Sequence, residues 1–539
     1  MHHPSVRIAG LSCCLMLGLA GCGGGGSDSV GDETPRVSDA AACADLAGKS
    51  YGDNTTVTRA TYVTDDLAFG STTAAAPFCR IEATARPSND SLIAFEVWLP
   101  PQVAWNNRFQ AVGSGSSAGS IATTAMAAPL ADGYAVMAQD NGHITDTSRP
   151  NGAAEQTWAL GHPEKIIDFA YRAQHVTAVH AKEIVSAFYN RPPAVSYFVG
   201  CSQGGHHGLM EASRYPADYD GIVAGAPAWE WFNLMAAEVW NSQAFLQDPT
   251  AIVAAKNTLL NSAVIAACDA NDGVTDGVIG DPRSCTFDPA VLQCTGADAP
   301  DCLTAAQVNA AQRIYAGAKQ PDGTVIFPPY ARGSELGWSP LYSTPGAAGG
   351  SGFDFYRYTL FQDPTFDNAN FDFGADYDRA RSVQIAGEAA PAVFNAGSDL
   401  TAFRQRGGKL IIYHGWADQQ ITPLSSIDYH DRVVADQGQA NTAGFMRLFM
   451  LPGVGHCSGG PGPRNIGGSS GAAPVADAAH DVVRALDRWV TQGVAPESLI
   501  ASRVANGAVT QTRPVCAWPK AAVYDGSGST DDAANFTCQ

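Results

Sequence analysis

Three side chains in this sequence have the types and the order needed to attack a carbonyl carbon. Ser202 lies in Gly200-Cys-Ser-Gln-Gly-Gly205, directly after the apolar run 194–199. A buried strand that ends in Gly-x-Ser-x-Gly and then enters a helix is a nucleophile elbow, which lifts a serine Oγ to the top of an α/β sheet. A serine hydroxyl is a weak nucleophile at neutral pH. It needs a base within hydrogen-bond reach and a carboxylate to fix the base's tautomer. With an elbow the chain order is Ser, acid, His. Asp418, in Gly415-Trp-Ala-Asp418, and His456, in Pro452-Gly-Val-Gly-His456-Cys457, each follow a strand-like run and fit that order. His206 and His207 fall on the helix after the elbow and read as packing or rim residues. His414 precedes the acid loop as a supporting candidate, and Asp428 and Asp431 read as outward charges on a helix.

Two further features bear on the same chemistry. Gly113-Ser-Gly-Ser-Ser-Ala-Gly119 follows an early strand, where an elbow enzyme keeps one oxyanion-binding amide; the other comes from the residue after the nucleophile. The amides near Gly115 and Ser116, with that of Gln203, are the candidates. Cys201 precedes Ser202 and Cys457 follows His456. A disulfide between them would set their Cα atoms about 5.5 Å apart and, at about 3.8 Å per residue step, hold Ser202 and His456 within about 13 Å.

Cys268-Asp-Ala-Asn-Asp-Gly-Val-Thr-Asp-Gly-Val278 offers different chemistry. The carboxylates of Asp269, Asp272 and Asp276, with glycines at 273 and 277 allowing tight curvature, can wrap a hard cation such as Ca²⁺ while backbone carbonyls complete the shell. The closing Glu of an EF-hand is missing, and a run of Asx turns is the alternative. The loop's distance in sequence from Ser202 argues for a structural ion.

These groups must be positioned by a sheet. Strands are expected at 92–99, 109–112, 134–139, 194–199, 220–227, 409–414 and 445–451, with helices over 164–189 and 203–215 and a terminal helix carrying Val482, Ala485, Leu486, Trp489 and Val490. Strand, helix, strand in succession implies parallel pairing with right-handed crossovers, hence a doubly wound, mostly parallel α/β sheet. Between about 228 and 388 the alternation stops and aromatic residues dominate, which reads as an inserted lid with its own small core. The core is thus split into 41–227 and 389–539. Residues up to about 90 contribute Cys43 and Cys79 but no clear chemistry.

The formal charge is −20, which opposes binding to nucleic acid or to an anionic membrane face. A small-molecule substrate and a monomer are expected instead. Residues 1–22 read as a targeting segment: Arg7, an apolar stretch, then Leu19-Ala20-Gly21-Cys22. This resembles a bacterial lipoprotein signal with Cys22 lipidated and 23–40 as a tether; an ordinary cleaved signal is the alternative. Either implies an exported, periplasmic, outer-membrane or secreted protein, touching a membrane only through the lipid. Of 13 cysteines, ten lie beyond this segment. The preferred pairing among many is 43–79, 268–285, 294–302, 516–538 and 201–457.

With these residues in view, the chain resembles the tannase and feruloyl esterase family, which includes the mono(2-hydroxyethyl) terephthalate hydrolases. The marks are Gly200-Cys-Ser-Gln-Gly-Gly205, the Asp269–Val278 loop, His414-Gly-Trp-Ala-Asp418 and Gly455-His-Cys-Ser-Gly-Gly460. The resemblance implies an α/β-hydrolase fold with a large lid, a Ser202, Asp418 and His456 triad, a Cys201–Cys457 disulfide and a lid Ca²⁺. It implies Asp269, Asp272 and Asp276 as side-chain ligands, Val274 and Val278 as carbonyl ligands, and Ser116 and Gln203 as oxyanion amides. The reaction it implies is hydrolysis of aromatic-acid esters, or of a terephthalate half-ester with Arg357 and Phe361 meeting the free carboxylate and ring. A non-catalytic, calcium-dependent surface-binding lipoprotein is the alternative of another class.

Overall fold

In the strand from Val195 to Cys201 every residue after the first is buried, and in that from Gly221 to Gly225 all are. Strands buried on both faces are continuous apolar runs and sit at the centre of parallel sheets. These two pair in parallel and in register, Gly225 opposite Cys201.

The computed structural model describes residues 38–52, 54–149, 152–247, 253–338 and 350–539. The targeting segment, Cys22 and most of the tether lie outside them. Ten strands form one sheet: β1 (Ser50–Tyr51), β2 (Thr55–Val63), β3 (Phe78–Ala85), β4 (Ile93–Leu99), β5 (Arg108–Val112), β6 (Ala135–Gln139), β7 (Val195–Cys201), β8 (Gly221–Gly225), β9 (Lys409–Gly415) and β10 (Met446–Leu451). Their order is β1-β2-β3-β4-β6-β5-β7-β8-β9-β10. From β6 through β10 every pairing is parallel, while β1 to β4 join antiparallel. The antiparallel edge is longer than the sequence suggested, because β2 and β3 alternate buried and exposed residues and lack an apolar run.

Helices α1 (Ala173–Tyr189), α2 (Gln203–Arg214), α3 (Trp231–Gln247), α4 (Ala254–Cys268), α5 (Leu424–Gln437) and α6 (Val482–Gln492) complete the frame. The helix expected over 164–189 forms, but as Pro163–Ile167, a widened turn Asp168–Arg172, then α1. On α6, Val482, Ala485, Leu486 and Trp489 are buried as the spacing required.

Between β8 and β9 runs the insertion, which packs within the single compact unit Asp39–Gln539. The small core expected of the insertion accounts for part of its aromatic residues. Residues 244–338 do gather a small cluster around Trp338. The aromatic residues Trp231, Phe232, Phe355 and Tyr356, however, share a core with Trp158, Ile166, Phe169, Phe394 and Ile421. The lid therefore seals onto the elements before the elbow by burying apolar surface against them.

Candidate active site

Ser202 sits at φ 64°, ψ −123°, a strained conformation for a residue with a side chain. Three backbone bonds hold it there. Its N–H donates to the Gly225 carbonyl at 2.9 Å, and its carbonyl accepts from His206 N–H at 3.0 Å and Ala228 N–H at 3.2 Å. The elbow glycines are steric necessities: a Cβ on Gly200 would lie 2.6 Å from the Gly204 carbonyl, and one on Gly113 2.5 Å from the Gly204 Cα.

Asp418 and His456 come to the same edge because β9 pairs in parallel with β8 and β10 in parallel with β9. Asp418 is wholly buried, and its Oδ2 lies 2.7 Å from His456 Nδ1. Its Oδ1 accepts from the Gln420 and Ile421 amides at 2.7 and 2.9 Å. Burial pushes this carboxyl up, but the charge of His456 and the hydrogen bonds from His414 and His456 outweigh it and hold it well below the usual carboxylate range. A carboxylate only accepts, so the Nδ1 hydrogen points at Asp418, and in the neutral ring Nε2 is then the acceptor.

His414 is also wholly buried. Its Nε2 faces two acceptors, Asp418 Oδ2 at 3.1 Å and the Ile421 carbonyl at 3.0 Å, and its Nδ1 faces Ser426 Oγ at 2.8 Å. Nε2 therefore carries the proton and Nδ1 accepts from the serine.

Cys201 and Cys457 are bonded, and so are Cys43–Cys79, Cys268–Cys285, Cys294–Cys302 and Cys516–Cys538. Ser202 and His456 line one open cavity of about 300 Å³ with Ser116, Gln420 and Ser469. A cleft of about 730 Å³ adjoins it through Gly113 and Ser469. Ser116 lies in the cavity wall at φ 57°. Gln203 opens α2, with its side chain buried and its Oε1 3.4 Å from Ser114 Oγ. Gln420 and Ser469 went unread in the sequence, since their neighbours in the cavity are distant in the chain.

Other candidates separate from the site. His206 is buried and bonded to the Phe394 carbonyl, and His207 is buried beside Gln174; burial lowers them to about 4 and about 3. Asp428 and Asp431 lie on α5 with partly or largely exposed side chains. Neither Arg357 nor Phe361 is among the residues lining the Ser202 cavity. Arg357 Nε donates to the Phe366 carbonyl, while Phe361 packs on Tyr356, Phe366 and the Arg379 guanidinium.

In the Asp269–Val278 loop, Gly273 and Gly277 take φ of 87° and 81°, the curvature the sequence anticipated. Asp269 accepts from the amides of Asp276, Gly277 and Val278, Asp272 from that of Val274, and Asp276 from Arg513 at 2.6 Å. Of the three carboxylates only that of Asp276 is paired with a guanidinium, which leaves net negative charge and oxygen lone pairs for a hard cation. The donor set fits calcium in kind. The loop also touches the site's own support: a Cβ on Gly453, in the His456 loop, would lie 2.8 Å from Val278.

Residues 79–539 match the family model described as tannase and feruloyl esterase. An uncharacterised esterase of Xanthomonas campestris pv. campestris is 38% identical over 95% of this chain and 93% of its own. Feruloyl esterase B of Aspergillus niger is 31% identical over 86% of this chain and 87% of its own. The crystal structure of feruloyl esterase B from Aspergillus oryzae superposes with a TM-score of 0.85 at 29% identity, covering 93% of this chain and all of that one. The tannin acyl hydrolase from Aspergillus niger shares the fold at a TM-score of 0.73 and 20% identity. With an α/β-hydrolase sheet, an elbow serine and these relatives, the chain belongs to the tannase and feruloyl esterase family and is a carboxylic ester hydrolase.

Proposed function

We propose that this enzyme cleaves esters joining an aromatic acid, of the hydroxycinnamic or gallic kind, to an alcohol, by way of an acyl-enzyme on Ser202. The observation that carries the reading is the 2.7 Å contact of His456 Nδ1 with a buried Asp418, on a histidine that lines the same cavity as Ser202. His456 Nε2 takes the Ser202 proton as Oγ attacks the carbonyl, then returns it to the leaving alcohol. Asp418 holds the imidazole tautomer and stabilises its cation, and the amides of Ser116 and Gln203 receive the oxyanion. Water then repeats the cycle on the acyl-enzyme and frees the acid.

The structural ion belongs to the same proposal. Asp269, Asp272 and Asp276 by side chain, with Val274 and Val278 by carbonyl, would hold Ca²⁺ and brace the His456 loop through Val278. Among the described residues these three carboxylates do not gather within 4.8 Å, so binding would draw the loop in. Five disulfides fit an oxidising, exported location, with a lipid on Cys22 as the anchor.

The test is a substrate panel with a serine-directed probe. Methyl ferulate or methyl gallate should be hydrolysed, a fluorophosphonate should label the wild type, and Ser202→Ala should abolish both. Cleavage of simple aliphatic esters alone would remove the aromatic assignment. Preference for mono(2-hydroxyethyl) terephthalate would favour the half-ester reading, and absence of labelling the non-catalytic binder.

A further inference from the structure

Beneath the Gly113–Gly119 loop runs the segment that follows β6, Asp140-Asn-Gly-His143, and it holds the loop at several points. Asn141 is wholly buried and sits at φ 59°, a conformation asparagine tolerates better than most side chains. Its Nδ2 donates to Ser114 Oγ at 2.8 Å and to the Ala118 carbonyl at 2.8 Å. Both of its amide hydrogens are thereby spent, one on each end of the loop. Its Oδ1 accepts from Gln139 Nε2 at 2.8 Å, and its backbone N–H donates to Gln139 Oε1.

His143 adds a second hold. Its Nε2 lies 2.8 Å from the Ser117 carbonyl and its Nδ1 3.3 Å from the Asn141 carbonyl. Burial lowers its pKa to about 4, so the ring is neutral with one N–H, and the shorter contact takes it. The ring stacks on Trp158 at 3.8 Å. Gly119 packs so close that a Cβ there would lie 2.4 Å from the His143 ring and carbonyl, and its N–H donates to Thr145 Oγ1.

From Ser114 the connection continues to the nucleophile side, since Ser114 Oγ is 3.4 Å from Oε1 of Gln203, the residue after Ser202. We propose that Asn141 is a positioning residue for ester hydrolysis, fixing the Ser116 amide relative to Ser202 by tying both ends of the loop to β6. This rests on the reading of Ser202 as nucleophile and of Ser116 and Gln203 as oxyanion donors. An oxyanion donor acts only if it is already aimed where charge develops, and that pre-aiming must come from residues that do not touch substrate.

The test uses two variants that break the same bond from opposite ends. Asn141→Gly keeps the left-handed backbone and removes the donor; Ser114→Ala removes the acceptor. Both are assayed with methyl ferulate and p-nitrophenyl acetate, with thermal unfolding measured alongside. The expected result is a fall in kcat of roughly 10- to 100-fold with KM within about twofold, the scale of a misplaced reacting group. The double variant should fall no further than the worse single one. The fluorophosphonate labelling rate should drop by the same factor.

A folded variant pair with kcat within twofold of wild type overturns the proposal, as does a raised KM with kcat unchanged. If Asn141→Gly does not fold, Ser114→Ala decides alone. If the wild type cleaves p-nitrophenyl acetate but no aromatic ester, the substrate assignment fails while this test still runs. If Ser202→Ala leaves activity intact, both fall together.

Discussion

Cys201 and Cys457, separated by 256 positions in sequence, are bonded with their Cα atoms 5.9 Å apart. One precedes Ser202 and the other follows His456, so a covalent link ties the end of β7 to the loop after β10. Closing so long a loop restricts the unfolded chain strongly. The Cys201→Ser, Cys457→Ser double variant should lose about 2–5 kcal/mol of stability. The fall in kcat should exceed what the lost folded fraction explains, because the His456 loop is released. Chemical denaturation and kcat at a temperature where both proteins are folded check this; unchanged kcat would mean the link serves stability alone.

The two imidazoles on Asp418 make a second prediction. Burial pushes this carboxyl up, and His456 and His414 together hold it well below its ordinary range. His414→Leu removes one of those donors, so the carboxyl should move upward. A depressed carboxylate contributes stability that is lost as pH falls through its folded value, so acid unfolding of the variant should begin at higher pH, with a milder loss of kcat/KM near neutrality. Asp418→Asn should instead cost on the order of 10³- to 10⁴-fold at every pH, through the wrong imidazole tautomer. Superimposed wild-type and His414→Leu profiles would refute the supporting role.

What could be read from the sequence was whatever is local. The elbow needs glycines at fixed offsets from Ser202, and the buried parallel strands β7 to β10 are unbroken apolar runs. Both survive translation from letters to structure nearly unchanged. Apart from the Cys201–Cys457 link, which the cysteine neighbours of Ser202 and His456 suggested, contacts made across long stretches of chain did not. Strands β2 and β3 are half-buried and rich in Thr and Ala, so nothing set them apart from loops. Nothing in the segment from Cys516 to Cys538 pointed toward the site, yet Trp518 packs on Trp416 beside Asp418, and Arg513, just before it, reaches Asp276. Asn141 sat in an ordinary-looking Asp-Asn-Gly-His turn; only the fold brings Ser114 and Ala118 above it.

A buried acid far from Ser202 sets an alkaline limit. Glu211 on α2 is 1% exposed, and burial, then the neighbouring Asp218 charge, raise its pKa well above normal, with Lys182 opposing. His175, bonded to Asp218 at 2.6 Å, and Lys182, at the Asp218 carbonyl, complete the cluster. The folded carboxyl is therefore protonated where the unfolded one, near 4.3, is not. Its contribution is whole below the unfolded value and drains away as pH rises toward and through the folded one. Melting temperature should decline with rising pH in the wild type. The decline should be shallower in Glu211→Gln, which mimics the protonated form. Parallel curves would place the alkaline sensitivity elsewhere.

The Asp269–Val278 loop joins three parts of the protein: α4 through Cys268, the C-terminal part of the chain through Arg513, and the His456 loop through Val278 against Gly453. If it holds calcium, removing the ion leaves three carboxylates of which only that of Asp276 is paired with a guanidinium, and their repulsion opens the loop. Chelation should lower the melting temperature, and added Ca²⁺ should restore it with saturation. Mg²⁺ should restore it poorly, because it demands a smaller, more regular shell. Asp272→Asn should weaken Ca²⁺ binding without disturbing the Arg513 pair. Arg513→Ala should destabilise the chelated protein more than the Ca²⁺-loaded one, since the guanidinium is then the only cation left there. Calorimetric titration of the chelated protein reads the affinity directly, independent of any ester assay. A melting temperature indifferent to chelator and Ca²⁺ would leave the loop as a set of Asx turns held by Arg513.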